Sequence, residues 1–134
     1  MPRPTNALIV DDEPHVRAFV RLLLREVGIE KTWEAGDGGA ALLAIEEHNP
    51  DFVMLDINMP VMTGLEVLGL IQEARPELPV MILSSEMALK TVQDAVRMGA
   101  IGYLLKHSPK AEAVKMLREA LDLLDAETDA PAGE

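Results

Sequence analysis

Short apolar runs alternate with longer, helically spaced stretches five times along this chain, and that rhythm leaves few folds open. The runs at residues 7–10, 31–34, 52–55, 80–83 and 101–104 predict strands. Three are nearly all apolar, as parallel strands covered on both faces must be. The run at 31–34 is more polar and suits a sheet edge. The first helix shows Val16, Phe19, Val20 and Leu23 at i, i+3, i+4 and i+7. Helices are expected over 38–47, 64–74 and 88–98, and a last one carries Val114, Leu117, Leu121 and Leu124 on one face. Pro14 sits where a first-turn proline belongs, and Gly28 and Gly99 sit just past helical stretches. Five β-α units imply an α/β protein, a parallel sheet with helices on both faces and right-handed crossovers.

The 134 residues fit one domain, expected over 5–125, with an acidic disordered tail over 126–134. There is no cysteine, hence no disulfide framework and no thiol nucleophile. The apolar run Leu8-Ile9-Val10 is too short for a signal segment or a membrane span, so a soluble, cytoplasmic protein is expected. The net charge of −11, from 23 acidic and 12 basic residues, opposes nucleic-acid binding, whose affinity comes from neutralising phosphates.

In sheets of this kind a site forms beyond the carboxyl ends of the strands. Asp11, Asp12 and Glu13 follow the first run. Asp56 and Asn58 follow the third, Ser84, Ser85 and Glu86 the fourth, and Lys106 the fifth. Carboxylates gathered in one pocket repel unless a divalent cation screens them, and oxygen ligands with retained waters suit Mg²⁺. An aspartate there can attack phosphorus and hold the group as an aspartyl phosphate. Lys106 is expected at a solvent-facing strand end. Asp12 has a second reading, as the cap of the helix entering at Pro14.

These blocks, in order, resemble the receiver domains of two-component response regulators. Leu8-Ile9-Val10-Asp11-Asp12-Glu13 and Val53-Met54-Leu55-Asp56-Ile57-Asn58-Met59-Pro60 resemble the first two blocks of that family. Met62-Thr63-Gly64-Leu65-Glu66, Ile82-Leu83-Ser84-Ser85 and the run from Gly99 to Lys106 resemble the rest. The resemblance implies a flavodoxin-like sheet in the order 2-1-3-4-5. It implies that Asp56 is the phosphoacceptor and that the donor is a phosphohistidine on a sensor histidine kinase or phosphotransfer protein. It makes Asp12 and Asp56 direct Mg²⁺ ligands with the Asn58 carbonyl, while Asp11 acts largely through water. Lys106 and Ser84 would hold phosphoryl oxygens, and Tyr103 would swing inward as Ser84 moves. Asn58 and Glu86 would tune dephosphorylation. His107 stands where receivers often carry proline, and the block ending in Lys106 is closer to receivers joined to helix-turn-helix domains.

Other functions fit less well. A phosphatase using an aspartyl phosphate would place an acid two residues after its nucleophile, where this chain has Asn58. A flavin module would need a glycine- and hydroxyl-rich phosphate loop where Asp11-Asp12-Glu13 stands. A receiver fold kept only as a scaffold would not need the full acidic, hydroxyl and lysine set. His15, His48 and His107 show no metal-ligand spacing, and Tyr103 also admits a plain packing role. The expected output is a phosphorylation switch, with a face including Met87, Lys90, Val92, Tyr103 and Lys106 meeting a downstream protein or a second receiver.

Overall fold

The computed structural model describes residues 3–85 and 89–129 of the chain. Five strands and five helices alternate: β1 Asn6–Val10, α1 Pro14–Glu26, β2 Lys31–Ala35, α2 Gly38–His48, β3 Val53–Asp56, α3 Gly64–Ala74, β4 Val80–Ser84, α4 Leu89–Arg97, β5 Gly102–Leu105 and α5 Lys110–Asp129. The strands form one parallel sheet in the order β2-β1-β3-β4-β5. The order reverses between β1 and β3, which puts a crevice beyond their carboxyl ends, where Asp11 and Asp56 stand.

Strand periodicity divides the core between the two faces. Ala7, Ile9, Phe52, Met54, Met81 and Leu83 pack under α1 and α5, against Val16, Val20, Leu23, Leu117 and Leu121. Leu8, Val10, Val53, Leu55, Val80 and Ile82 face the other way, against Ala41 and Ile45 of α2, Val67, Leu68 and Ile71 of α3 and Ala95 of α4. The polar strand β2 is an edge, as its composition predicts. Gly28 and Gly99, after α1 and α4, carry φ of +93° and +102°, a region open to glycine at little cost.

Several boundaries differ from the sequence reading. β3 ends on Asp56 and β4 on Ser84, so both residues lie within the ladder and not beyond it. The ladder follows backbone pairing, which a polar side chain does not interrupt. β5 likewise runs from 102 to 105, and α5 continues through Asp129, past the boundary expected at 125. Nothing between Asp122 and Asp129 breaks a helix; the first proline beyond Pro109 is Pro131. Residues 130–134 of the expected tail lie outside the described residues, as do Ala88, the expected start of the fourth helix, Glu86 and Met87.

Candidate functional site

Asp11 ends its run directly beyond β1, and its backbone and side chain are both held. Its amide donates to the Ala35 carbonyl at 3.1 Å, and its Oδ1 accepts from the Glu13 amide at 2.9 Å. That second bond folds the turn into α1, whose N-cap Glu13 makes no side-chain cap of its own. The capping alternative for Asp12 is therefore replaced: Asp11 holds the turn, and Asp12 stays exposed at the rim.

Asp56 is fully buried at the end of β3. Its Oδ1 accepts from the Asn58 amide at 3.0 Å. The Ile57 amide continues the ladder by donating to the Leu83 carbonyl at 3.0 Å. The next helix, α3, begins at Gly64. Thr63 and Glu66 form a reciprocal capping box on α3. Gly64 lets that helix end approach the strand: a Cβ there would collide with the Asp56 carbonyl and the Ile57 Cα.

Lys106 enters from beyond β5. Its amide donates to the Ser84 carbonyl at 2.8 Å, tying the two strand ends together. Its Nζ lies 2.9 Å from Asp11 Oδ2 and 3.0 Å from Asp56 Oδ2. Lys106 is only 8% exposed, so the solvent-facing strand end expected from sequence is corrected: two carboxylates draw the ammonium inward. The contact is an ion pair without aligned hydrogen bonds, and both Oδ2 atoms are buried without a hydrogen-bond partner among the described residues. His107 follows through a trans peptide.

Electrostatics follow from this burial. Desolvation pushes the Asp56 carboxyl up to about 6, and the neighbouring Asp11 charge adds to it. The Asn58 amide and Lys106 pull the other way and only partly offset it. For Lys106, burial alone would lower the pKa, but the Asp11 and Asp56 contacts outweigh it and the net shift is upward. One carboxylate oxygen each from Asp11, Asp12 and Asp56 lies within 4.8 Å of the others. An all-oxygen set, with two buried oxygens that share a single ammonium, suits a hard divalent cation.

The structure thus brings Asp11, Asp12, Asp56 and Lys106 together. Ser84 is buried beside them, through its backbone bond to Lys106. Asn58 is exposed next to Asp56. Tyr103 stands apart, in register with Ile82 and half-buried against the layer that holds α2, α3 and α4. Glu86, expected to tune dephosphorylation, lies outside the described residues. Thr63, Gly64 and Glu66 were within the quoted motif, but the collision that makes Gly64 necessary was not legible; the Thr-x-x-Glu spacing was the available signal.

Comparison with known proteins agrees. Residues 7–118 match the family described as the response regulator receiver domain. The probable transcriptional regulatory protein TcrX of Mycobacterium tuberculosis is 36% identical over 119 residues, covering 89% of this chain and 50% of TcrX. The chain therefore spans about half the length of that relative. The chemotaxis protein CheY of Pseudomonas aeruginosa is 38% identical over 101 residues, 74% of this chain and 82% of CheY. Among solved structures, the receiver domain of NtrX from Brucella abortus superposes with a TM-score of 0.78 at 33% identity, covering 87% of this chain and 98% of that one. Fold, acidic pocket and sequence match converge, and the chain belongs to the receiver domains of two-component response regulators.

Proposed function

We propose that this receiver is switched by Mg²⁺-dependent phosphorylation of Asp56. The observation that carries the reading is Asp56 Oδ2: a buried carboxylate oxygen that, among the described residues, meets only the Lys106 ammonium at 3.0 Å, inside an acidic cluster. An oxygen so placed is poorly solvated and available as a nucleophile. It attacks phosphorus in line. The Asp56 O–P bond forms as the bond from phosphorus to the donor's imidazole nitrogen breaks, and the electron pair returns to that nitrogen. The donor is a phosphohistidine on a sensor histidine kinase or phosphotransfer protein.

Asp11, Asp12, Asp56 and the Asn58 carbonyl would hold the Mg²⁺, with Asp11 acting largely through water. The bound ion supplies charge neutralisation for the incoming phosphoryl oxygens. Lys106 Nζ leaves its ion pair with Asp56 for a phosphoryl oxygen, and the Ser84 hydroxyl takes another. Tyr103 follows Ser84 inward, and Asn58 and Glu86 set how readily water removes the group. The altered surface, on α4, β5 and α5, meets a downstream protein or a second copy of the chain in the cytoplasm. The net charge of −11 disfavours direct contact with nucleic acid. Among the described residues no helix is long and apolar enough to cross a membrane.

Incubation with Mg²⁺ and a small acyl phosphate is expected to add one phosphoryl group, read by intact mass and removed by hydroxylamine. Asp56→Asn is expected to take none. Equal labelling of the variant would place the acceptor elsewhere.

A further inference from the structure

Arg17 lies on α1, one turn beyond the acidic turn, and its guanidinium spans three elements. Nη1 donates to the Asp11 main-chain carbonyl at 2.7 Å, and Nε donates to Glu34 Oε1 on β2 at 2.9 Å. The side chain is 19% exposed, against 44% for Arg21, which holds the second Glu34 oxygen at 3.1 Å. We propose that Arg17 is a positioning residue for the divalent-cation pocket, fixing the peptide between Asp11 and Asp12 so that both carboxylates are presented to Asp56.

The inference rests on the reading of that pocket as a cation site. Asp11 N is held by Ala35 and Asp11 Oδ1 by Glu13; with Arg17 on the carbonyl, only Oδ2 is left to face the pocket. The carbonyl belongs to a planar peptide, so fixing it also fixes the amide of Asp12 and the direction in which that side chain leaves. Asp12 is exposed, and among the described residues no hydrogen bond of its own side chain holds it, so the peptide plane is its restraint. A guanidinium suits the task because its rigid fork serves two directions at once. Glu34, shared with Arg21, keeps the fork from rotating away from Asp11.

Charge and position predict opposite outcomes, which makes the claim testable. Removing a positive charge beside a cation pocket would, by charge alone, tighten cation binding. Loss of positioning weakens it. Mg²⁺ titration by calorimetry of the parent, Arg17→Ala and Arg21→Ala is the experiment, with circular dichroism to verify folding. Arg17→Ala is expected to bind Mg²⁺ about tenfold more weakly, the worth of one charge-assisted hydrogen bond. Arg21→Ala removes the same charge and a bond to the same Glu34 without touching Asp11, and is expected to bind like the parent. Should Arg17→Ala fail to fold, Arg17→Lys carries the test, with weaker binding expected because an ammonium lacks the fork. Unchanged or tighter binding in a folded Arg17 variant, with a parent that binds, overturns the inference alone. A parent that binds no Mg²⁺ overturns the reading of the pocket and this inference with it.

Discussion

Asp56 and Lys106 share a buried pocket, where desolvation raises the Asp56 carboxyl and the Lys106 ammonium only partly offsets it. In the fold Asp56 releases its proton at about 6, against an ordinary 3.8. The folded state therefore binds that proton more tightly than the unfolded chain does. Stability from this group is fully present below about pH 4 and is lost as pH rises through about 6. Lys106, shifted upward, stays charged across that window and adds no slope there. Asp56→Asn has no proton to lose. Relative to the parent, its metal-free stability is expected to climb by about 3 kcal/mol between about pH 4 and neutral pH. Urea unfolding in chelator, parent against variant, checks this; a difference independent of pH would remove the buried-carboxylate account. The clustering of Asp56 with its acidic neighbours was legible in the sequence, because carboxylates after apolar runs mark the end of a parallel sheet where sites form. The burial of Lys106 was not. A lysine after a strand ordinarily keeps its ammonium in water, and only the carboxylates brought in by β1 and β3 reverse that.

Elements meet at the site through their ends. The start of α3 lies against the end of β3, with the Gly64 amide donating to the Ile57 carbonyl at 3.0 Å. A methyl at Gly64 meets main chain, which cannot step aside as a flexible side chain would. Gly64→Ala is expected to lower stability by about 1–3 kcal/mol and to displace the Asp56–Asn58 segment. The checks are urea unfolding and the rate of acyl-phosphate labelling; a variant matching the parent in both would mean the helix end moves freely. The helices at 38 and 64 began where sequence placed them, because Asp37 and Thr63 cap them. The turn before α3 was not legible. Val61 takes φ +69° there, beneath a bond from the Met62 amide to the Pro60 carbonyl at 2.8 Å, and it is fully exposed. A β-branched residue disfavours that backbone, so nothing in its identity signals it.

Across the whole molecule, the acidic pocket and the open β5 edge are joined by the β4–β5 ladder. The Ser84 carbonyl holds the Lys106 amide, Ser84 pairs with Leu105, and Tyr103 pairs with Ile82. Under the proposed switch, a shift of Ser84 toward a phosphoryl group would pull on β5 and the helices beside it. The face expected from sequence needs revision, because Val92 and Lys106 are buried and Met87 lies outside the described residues. Its solvent side is instead Lys90 and the cleft where Tyr103, Met116, Glu119 and Leu123 line the β5 edge, with Leu123 62% exposed. Phosphorylation would bias two arrangements of that face, not create one. Beryllofluoride with Mg²⁺ is expected to change amide hydrogen exchange in α4, β5 and the first half of α5 more than in α1. Ser84→Ala is expected to blunt that change while leaving acyl-phosphate labelling of Asp56 in place. If the receiver pairs through this face, Leu123→Lys is expected to lower any beryllofluoride-induced dimer seen by sizing, since it puts a cation on the apolar cleft. Exchange changes confined to α1 would place the output on that helix and not on α4, β5 and α5, and break the proposed coupling at Ser84.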